Sequence, residues 1–192
     1  MRKILSFALV IVCAFSLFSC SLLGGKSGEA VFESAISSTN PSRVVVEVVT
    51  HSALGDLNAS YNVAYNEDGS AVITYSYEKF NKIGEGAENE LKSTYSGTIT
   101  KNADGTYSGT DVDVSSVASG ISVKLSAINK DSKTINDAGD VLTANIAAAD
   151  TEAVFGSAFS EDVDLEITIA NGVVTLITLN YASGSVVCRY TA

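Results

Sequence analysis

A strict alternation of apolar and polar residues near the end of the chain constrains the fold more than any other sequence feature. Val163, Leu165, Ile167 and Ile169 alternate with Asp, Glu and Thr. Successive side chains of a strand point to opposite faces, so this run predicts an antiparallel strand with one buried and one solvated face. Further strands of the same sheet are predicted at 43–50, 57–65, 71–77, 93–101, 106–114, 121–127, 173–181 and 185–190.

Three short loops between these strands end in Gly, at 67–69, 103–105 and 170–172. A three-residue loop of this kind is typical of a type I turn closed by a Gly bulge. A two-residue turn at 171–172 would instead place Leu165 opposite Thr178 and send an apolar face to the wrong side, so we expect the three-residue loop. The predicted pairs are Val63 with Ile73, Tyr61 with Tyr75, Leu165 with Ile177, and Val163 with Leu179.

Two segments have helical spacing. Residues 29–36 place two large apolar side chains one turn apart, which predicts a short helix. Residues 140–155 are Ala-rich, with Leu142 and Ile146 four residues apart, and are predicted as a helical insertion. Loops are predicted at 80–89 and 129–139.

The predicted fold class is mainly β with minor α, a curved antiparallel meander with an N-terminal helix and one helical insertion. This order resembles the half-open barrels of lipoprotein-carrier folds, in which a curved sheet wraps helices. The resemblance is architectural, and it implies an apolar concavity able to hold a lipid or another hydrophobic ligand. A β-sandwich also fits the order of elements.

The first twenty residues predict the location of the protein. Arg2 and Lys3 precede an uncharged apolar stretch, as in a secretory signal peptide. The stretch ends in Leu17-Phe18-Ser19-Cys20, which resembles the lipobox of bacterial lipoproteins. The resemblance implies cleavage before Cys20 and acylation of Cys20. The chain then divides into a signal peptide at 1–19, a lipidated Cys and flexible tether at 20–28, and a single β-rich domain at 29–192.

An uncleaved transmembrane helix is the alternative for this segment, because residues 4–25 carry no charge. Both readings place the remaining chain outside the cytoplasm. In the lipoprotein reading the acyl chains on Cys20 hold the domain at the cell membrane or, since Ser21 permits such sorting by resemblance, at the outer membrane.

Composition excludes several function classes. The chain has 22 Asp and Glu against 12 Lys and Arg, a formal net charge of −10, which argues against a nucleic-acid partner. With Cys13 removed and Cys20 acylated, Cys188 would have no disulfide partner and is expected as a buried, small apolar side chain.

Catalytic motifs are not found in the sequence. His51 is the single histidine, which argues against zinc sites and His-dependent nucleophilic sites, and it is expected to be exposed at a strand end. Phosphate-loop and nucleophile-elbow patterns do not occur. We expect no enzyme, no cofactor and no metal site.

Four tyrosines on one face of two predicted strands are the candidate site: Tyr61, Tyr65, Tyr75 and Tyr77. They fit a buried core, and they also fit an aromatic platform that contacts a lipid or a sugar. We therefore expect a non-enzymatic, membrane-anchored lipoprotein that binds a hydrophobic or amphipathic ligand in a curved sheet. The alternative is a structural lipoprotein that contacts a protein partner or the cell envelope and has no small ligand.

Overall fold

Ten antiparallel strands form one sheet in the computed structural model, which describes residues 28–53, 55–82, 89–109 and 121–191. The strands are β1 Arg43–Ser52, β2 Gly55–Tyr65, β3 Ala71–Lys82, β4 Asn89–Lys101, β5 Tyr107–Gly109, β6 Lys133–Ile135, β7 Val141–Ile146, β8 Val163–Ala170, β9 Val173–Tyr181 and β10 Gly184–Thr191. The helices are α1 Gly28–Ser38 and α2 Thr151–Phe155, with 3-10 turns at Leu125–Ala127, Lys130–Ser132 and Ala148–Asp150.

The sheet consists of two meanders that meet in the middle. The strand order is β5-β4-β3-β2-β1-β10-β9-β8-β7-β6, so β1 pairs with β10 and the short strands β5 and β6 are the two edges. The sheet is therefore open, not a closed barrel, and its strands belong to one hydrogen-bonded sheet and not to the two sheets of a sandwich. This confirms the predicted fold class.

The alternation of apolar residues explains which face is buried. Val163, Leu165, Ile167 and Ile169 of β8 are all buried, whereas Asp164 between them is exposed. We call the face that carries these apolar residues the inner face and the opposite one the outer face. Because the same period continues through the neighbouring strands, one hydrophobic cluster extends along the inner face from β4 to β7.

Helix α1 packs on the inner face and confirms the predicted N-terminal helix. It begins at Gly28, one residue inside the predicted tether, and it buries Phe32 and Ala35 completely. The backbone N–H of Val174 on β9 donates to Thr39 Oγ1 at 2.8 Å just after the helix ends. No helix among the described residues is long and apolar enough to span a bilayer.

The predicted helical insertion at 140–155 is wrong for most of its length. Residues Val141–Ile146 form strand β7, and only Thr151–Phe155 are α-helical. Leu142, Ala144 and Ile146 are buried while the residues between them are exposed. A spacing of four residues fits both a helix turn and every second position of a strand, and here pairing with β8 selects the strand.

The predicted strand at 121–127 is also wrong. Ile121, Val123 and Leu125 are buried, but residues 121–124 have no strand pairing in the described structure and lead into the 3-10 turn Leu125–Ala127. The N–H of Lys124 donates to the carbonyl of Val154 at 2.9 Å, so its hydrogen bonding goes to α2 and not to a strand. The segment packs on the inner face as part of the core.

Two predicted loops contain regular structure. Strand β3 continues to Lys82, which lies within the predicted loop 80–89. Strand β4 begins at Asn89, the last residue of that predicted loop. The predicted loop 129–139 contains a 3-10 turn and the edge strand β6. The polar hairpin of 93–101 and 106–114 is confirmed as β4 and β5, although residues 110–114 lie outside the described residues.

The register between β2 and β3 is as predicted, with Val63 opposite Ile73 and Tyr61 opposite Tyr75. Between β8 and β9 the predicted pairs are wrong by two residues. Leu165 lies opposite Leu179, and Ile167 lies opposite Ile177. A register shift of two residues keeps every apolar side chain on the inner face. The apolar faces of β8 and β9 therefore lie on the same side of the sheet, as expected, although the paired residues differ from the predicted ones.

The β8–β9 turn explains this shift. It has two residues, Asn171 and Gly172, both in the left-handed region with φ of 53° and 77°. Such a turn alone would place apolar residues opposite polar ones. The ladder is irregular between Thr168 and Ile169, because Thr168 pairs with Leu176 and Ile169 pairs with Val174, which leaves Thr175 unpaired in the ladder. This extra residue on β9 brings the apolar side chains of both strands back to the same face.

Candidate functional site

The structure brings the four predicted tyrosines together on the inner face of β2 and β3. Tyr61 lies directly opposite Tyr75, and Tyr77 lies opposite Ala59. Tyr75 is buried, whereas Tyr61, Tyr65 and Tyr77 are half-buried against the edge of the hydrophobic cluster. Both interpretations of the sequence therefore apply in part, because Tyr75 belongs to the core and the other rings reach its boundary.

A fifth tyrosine completes the group. Tyr95 on β4 lies opposite Tyr77, with ring centroids 4.7 Å apart and ring planes 21° apart. Tyr77 in turn stacks near Tyr75 at 6.3 Å. Tyr95 is 50% exposed, so one surface of the stack is open to solvent. We call the inner surface formed by Tyr61, Tyr65, Tyr75, Tyr77 and Tyr95 the tyrosine face.

The sequence contained a signal for Tyr95 that the prediction missed. Tyr95, Gly97 and Ile99 alternate with Thr and Ser in the polar hairpin, and Ile99 is buried while Tyr95 lies on the same face. Gly97 interrupts the alternation of large apolar residues, so a search for that alternation misses the face on which Tyr95 lies.

One end of the tyrosine face has an exposed rim. Leu57, Lys79 and Ser93 lie opposite one another on β2, β3 and β4, one row beyond the Tyr77–Tyr95 pair. Leu57 is 36% exposed and Lys79 is exposed as well. Within the described ranges Lys79 has no ion pair. The rim therefore combines apolar surface with one unneutralised cation.

The other end of the tyrosine face is more enclosed. Burial, with Tyr107 as the next contributor, raises the pKa of Tyr65 to about 12. Close to it, the Tyr190 hydroxyl donates to the carbonyl of Ile121 and accepts from its N–H, both at 3.4 Å. Burial also raises the pKa of Cys188 to about 12, and the thiol is fully buried. A thiol of this kind is unreactive at neutral pH, as expected of a small apolar side chain.

Elsewhere the inner face is filled by the protein itself. Phe32 of α1, Leu125 of the 3-10 turn and Phe155 of α2 are all buried against the strands on the β7–β10 side. Phe159 packs edge-on against Phe155 and Tyr181, with centroids 5.7 and 5.4 Å apart. Open aromatic surface on the described inner face lies at Tyr95, which is 50% exposed, and at Tyr107 of β5, which is 37% exposed.

The single histidine lies on the outer face of the sheet, away from the tyrosine face. His51 is exposed at the end of β1, with Nδ1 3.2 Å from Asp56 Oδ1. The part of the chain that the structure describes contains no group of three His, Cys, Asp or Glu residues that could hold a metal ion. Residues 1–19 and Cys20 lie outside the described residues.

A polar depression of about 290 Å³ lies on the outer face and is separate from the tyrosine face. The Nδ2 of Asn145 donates to Asp164 Oδ1 across it at 2.8 Å. Its polar lining is Ser132, Thr143, Asn145, Asp164, Glu166 and Asn180. Its lining also includes the apolar residues Ala144 and Leu165.

Comparisons with known proteins add little. No protein-family model matches this chain, and no curated protein matches it. Among solved structures the chain is similar to LprF from Mycobacterium bovis, with 13% sequence identity, a TM-score of 0.36, and coverage of 85% of this chain and 91% of that one. So distant a similarity assigns no function.

Proposed function

We propose that this protein is an extracytoplasmic lipoprotein, anchored through acyl chains on Cys20, whose tyrosine face binds a hydrophobic or amphipathic ligand without catalysing a reaction. The observation that supports ligand binding most directly is the open stack of Tyr77 and Tyr95, with Tyr95 half exposed. The lipobox Leu17-Phe18-Ser19-Cys20 supports the anchor.

The exposed stack is suited to a ligand for a physical reason. A ring exposed on an apolar face leaves apolar surface in contact with water. A flat or aliphatic group of a ligand would cover this surface, and the favourable free energy of covering it is about 25 cal/mol per Å². Tyrosine offers an apolar ring together with a hydroxyl that can hydrogen-bond a polar part of the ligand. Beside the stack, Leu57 extends the apolar surface along the strand direction.

Native mass spectrometry of residues 21–192 with offered lipids tests ligand binding. We expect a retained lipid, and we expect Tyr95→Ala to weaken retention about tenfold because the stack loses its open ring. Val72→Ala is the control, since Val72 is 40% exposed and lies on the outer face of β3, away from the tyrosine face. Circular dichroism of each variant verifies that it is folded.

A domain that is folded yet carries no lipid and takes up none would contradict this function. Cross-linking in intact cells would then test the structural alternative, in which the same face contacts a protein partner.

A further inference from the structure

We propose that the ligand of the tyrosine face is an amphiphile with an anionic head group, and that Lys79 binds this group while the Tyr77–Tyr95 stack binds the apolar part. This inference rests on the proposed function and specifies the chemical class of the ligand. The juxtaposition of one unpaired cation with the exposed end of the aromatic stack carries it.

Lys79 lies at the correct distance from the stack. It follows Tyr77 by two residues on β3, and a strand rises about 3.4 Å per residue, so the two Cα atoms are about 7 Å apart. Both side chains point to the inner face, because Lys79 pairs with Leu57 and Tyr77 with Ala59 in the same ladder. The ammonium group can therefore reach a head group whose chain lies on the rings of Tyr77 and Tyr95.

The lack of a counter-charge on Lys79 favours an anion at this position. The chain has a formal net charge of −10, yet three lysines lie on the inner face of the described strands, Lys79, Lys101 and Lys133, and the register places Glu90, opposite Asn81, on this face as well. Lys133 is neutralised by Glu29 at 2.6 Å. Lys79 has no such partner in the described structure, so an anionic ligand would supply its counter-charge beside an apolar surface, where solvent screening is weaker than in bulk water.

Lys101 is the other unpaired lysine on this face, but its surroundings differ. It lies between Ala71 and Tyr107 at the opposite end of β3, in the row that contains the more enclosed Tyr65, and Tyr107 is 37% exposed. Lys79 instead adjoins the half-exposed Tyr95 and the exposed Leu57. The stacked Tyr77–Tyr95 pair, together with the apolar surface of Leu57, thus selects Lys79.

The ladder changes at Lys79 as well. Lys79 pairs with Ser93, but the next pair is Phe80 with Leu91, so the strands contain a bulge at this point. A bulge bends the strand and re-aims the adjacent side chains, and bulges are frequent next to binding sites. Lys79 is therefore the last residue of the regular ladder that carries the tyrosine face.

Photo-cross-linking of the full chain in phosphatidylcholine nanodiscs tests this inference. The probes are a diazirine-bearing hexadecanoate and the matching hexadecanol, which differ only in the charge of the head group. We expect the acid to label peptides of β2–β4 about five- to tenfold more than the alcohol, and high salt to reduce this preference. Lys79→Gln should abolish the preference while leaving labelling by the alcohol unchanged. Lys101→Gln, the same substitution on the same face, should leave the preference intact.

The outcomes separate this inference from the proposed function. Equal labelling by acid and alcohol, a preference that persists in Lys79→Gln, or an equal loss in Lys101→Gln would overturn the role of Lys79, and the tyrosine face would still be a ligand site. Absence of labelling by both probes at β2–β4 would overturn the proposed ligand binding and this inference together.

Discussion

The ring of Tyr75 lies over Gly97, its neighbour across the β3–β4 ladder. A Cβ atom placed on Gly97 would be 2.5 Å from Tyr75 Oη and 2.8 Å from Cζ. Gly97 therefore provides the space that allows Tyr75 to lie flat in the core while Tyr77 and Tyr95 stack in the next row. A residue that looks like a weak point of a strand positions the aromatic group.

Gly97→Ala should therefore destabilise the protein by about 1–3 kcal/mol, because the added methyl group overlaps the Tyr75 ring and forces it to move. Ordinarily the same change inside a strand is favourable, since Gly loses more conformational entropy on folding than Ala does. Denaturant unfolding measures the difference. Ser96→Ala, the adjacent exposed position on the outer face, should change the free energy of unfolding by less than about 0.5 kcal/mol.

A double-mutant cycle with Tyr75→Leu tests the cause. The smaller side chain should reduce the cost of Gly97→Ala, giving a coupling energy of about 1 kcal/mol between the two positions. Additive effects would show that Gly97 acts through something other than the Tyr75 ring.

Glu29 and Lys133 join helix α1 to the edge strand β6. The Nζ of Lys133 lies 2.6 Å from Glu29 Oε1 and 3.2 Å from the carbonyl oxygen of Leu125, and only 8% of the lysine side chain is exposed. Glu29→Gln leaves this enclosed ammonium without its counter-charge, so we expect a loss of about 1–2 kcal/mol. Thermal or denaturant unfolding measures it. The matched control is Glu33→Gln, one turn further on and exposed, which should have little effect, and equal effects of the two variants would contradict the expected role of the pair.

The regular period of two was sufficient to predict eight of the ten strands, all except β6 and β7. It failed where one pattern fits two structures. Leu142 and Ile146 satisfy both a helix turn and a strand, and only pairing with β8 makes them a strand. The β8–β9 register failed because a two-residue turn and a bulge at Thr175 together keep the apolar faces aligned, which loop length alone cannot show.

The sequence predicted which four tyrosines share one face of the sheet, but it did not predict which aromatic rings are exposed. The period of two placed Tyr61, Tyr65, Tyr75 and Tyr77 on one face, and the structure bears this out. Which of them is open depends on neighbours far along the chain. Gly97 makes space for Tyr75, and Tyr95 provides the open ring, and both belong to a strand whose polar composition gave no strong face.

Alkaline pH should destabilise the protein through its buried thiol and phenol groups. Burial raises the pKa of Cys188 from 9.0 to about 12, and burial raises that of Tyr65 from 10.0 to about 12. Above pH 9 the Cys188 thiol ionises in the unfolded chain but not in the folded protein. The stability that the raised pKa contributes is fully present below pH 9 and is lost as the pH rises towards 12. For Cys188 alone the loss is about 1.4 kcal/mol at pH 10.

Denaturant unfolding between pH 8 and 11 measures this loss. Cys188→Ala should be less stable at neutral pH because of the small cavity, but its stability should fall less steeply above pH 9. A slope identical to that of the unaltered protein would show that the thiol stays un-ionised in both states or titrates equally in both.

Thiol counting links the buried Cys188 to the proposed anchor. In the folded protein Cys188 is fully buried and should not react with a maleimide at pH 7. If the chain is cleaved before Cys20 and that sulfur is acylated, Cys13 is lost and Cys20 is blocked. Protein isolated from membranes should then show no reactive thiol when folded and one when unfolded in guanidinium.

The variants make this count diagnostic. Cys188→Ala should lower the count in guanidinium from one to zero. Cys20→Ser removes the residue that the processing requires, so that chain should keep residue 1 and give two thiols, from Cys13 and Cys188. Three thiols in the unaltered protein would mean that the N-terminal segment is neither cleaved nor acylated. Because the uncleaved apolar stretch at 4–25 could then span the bilayer itself, the protein would still be membrane-bound, and only the thiol count and the mass of the N-terminal peptide would distinguish the two anchors.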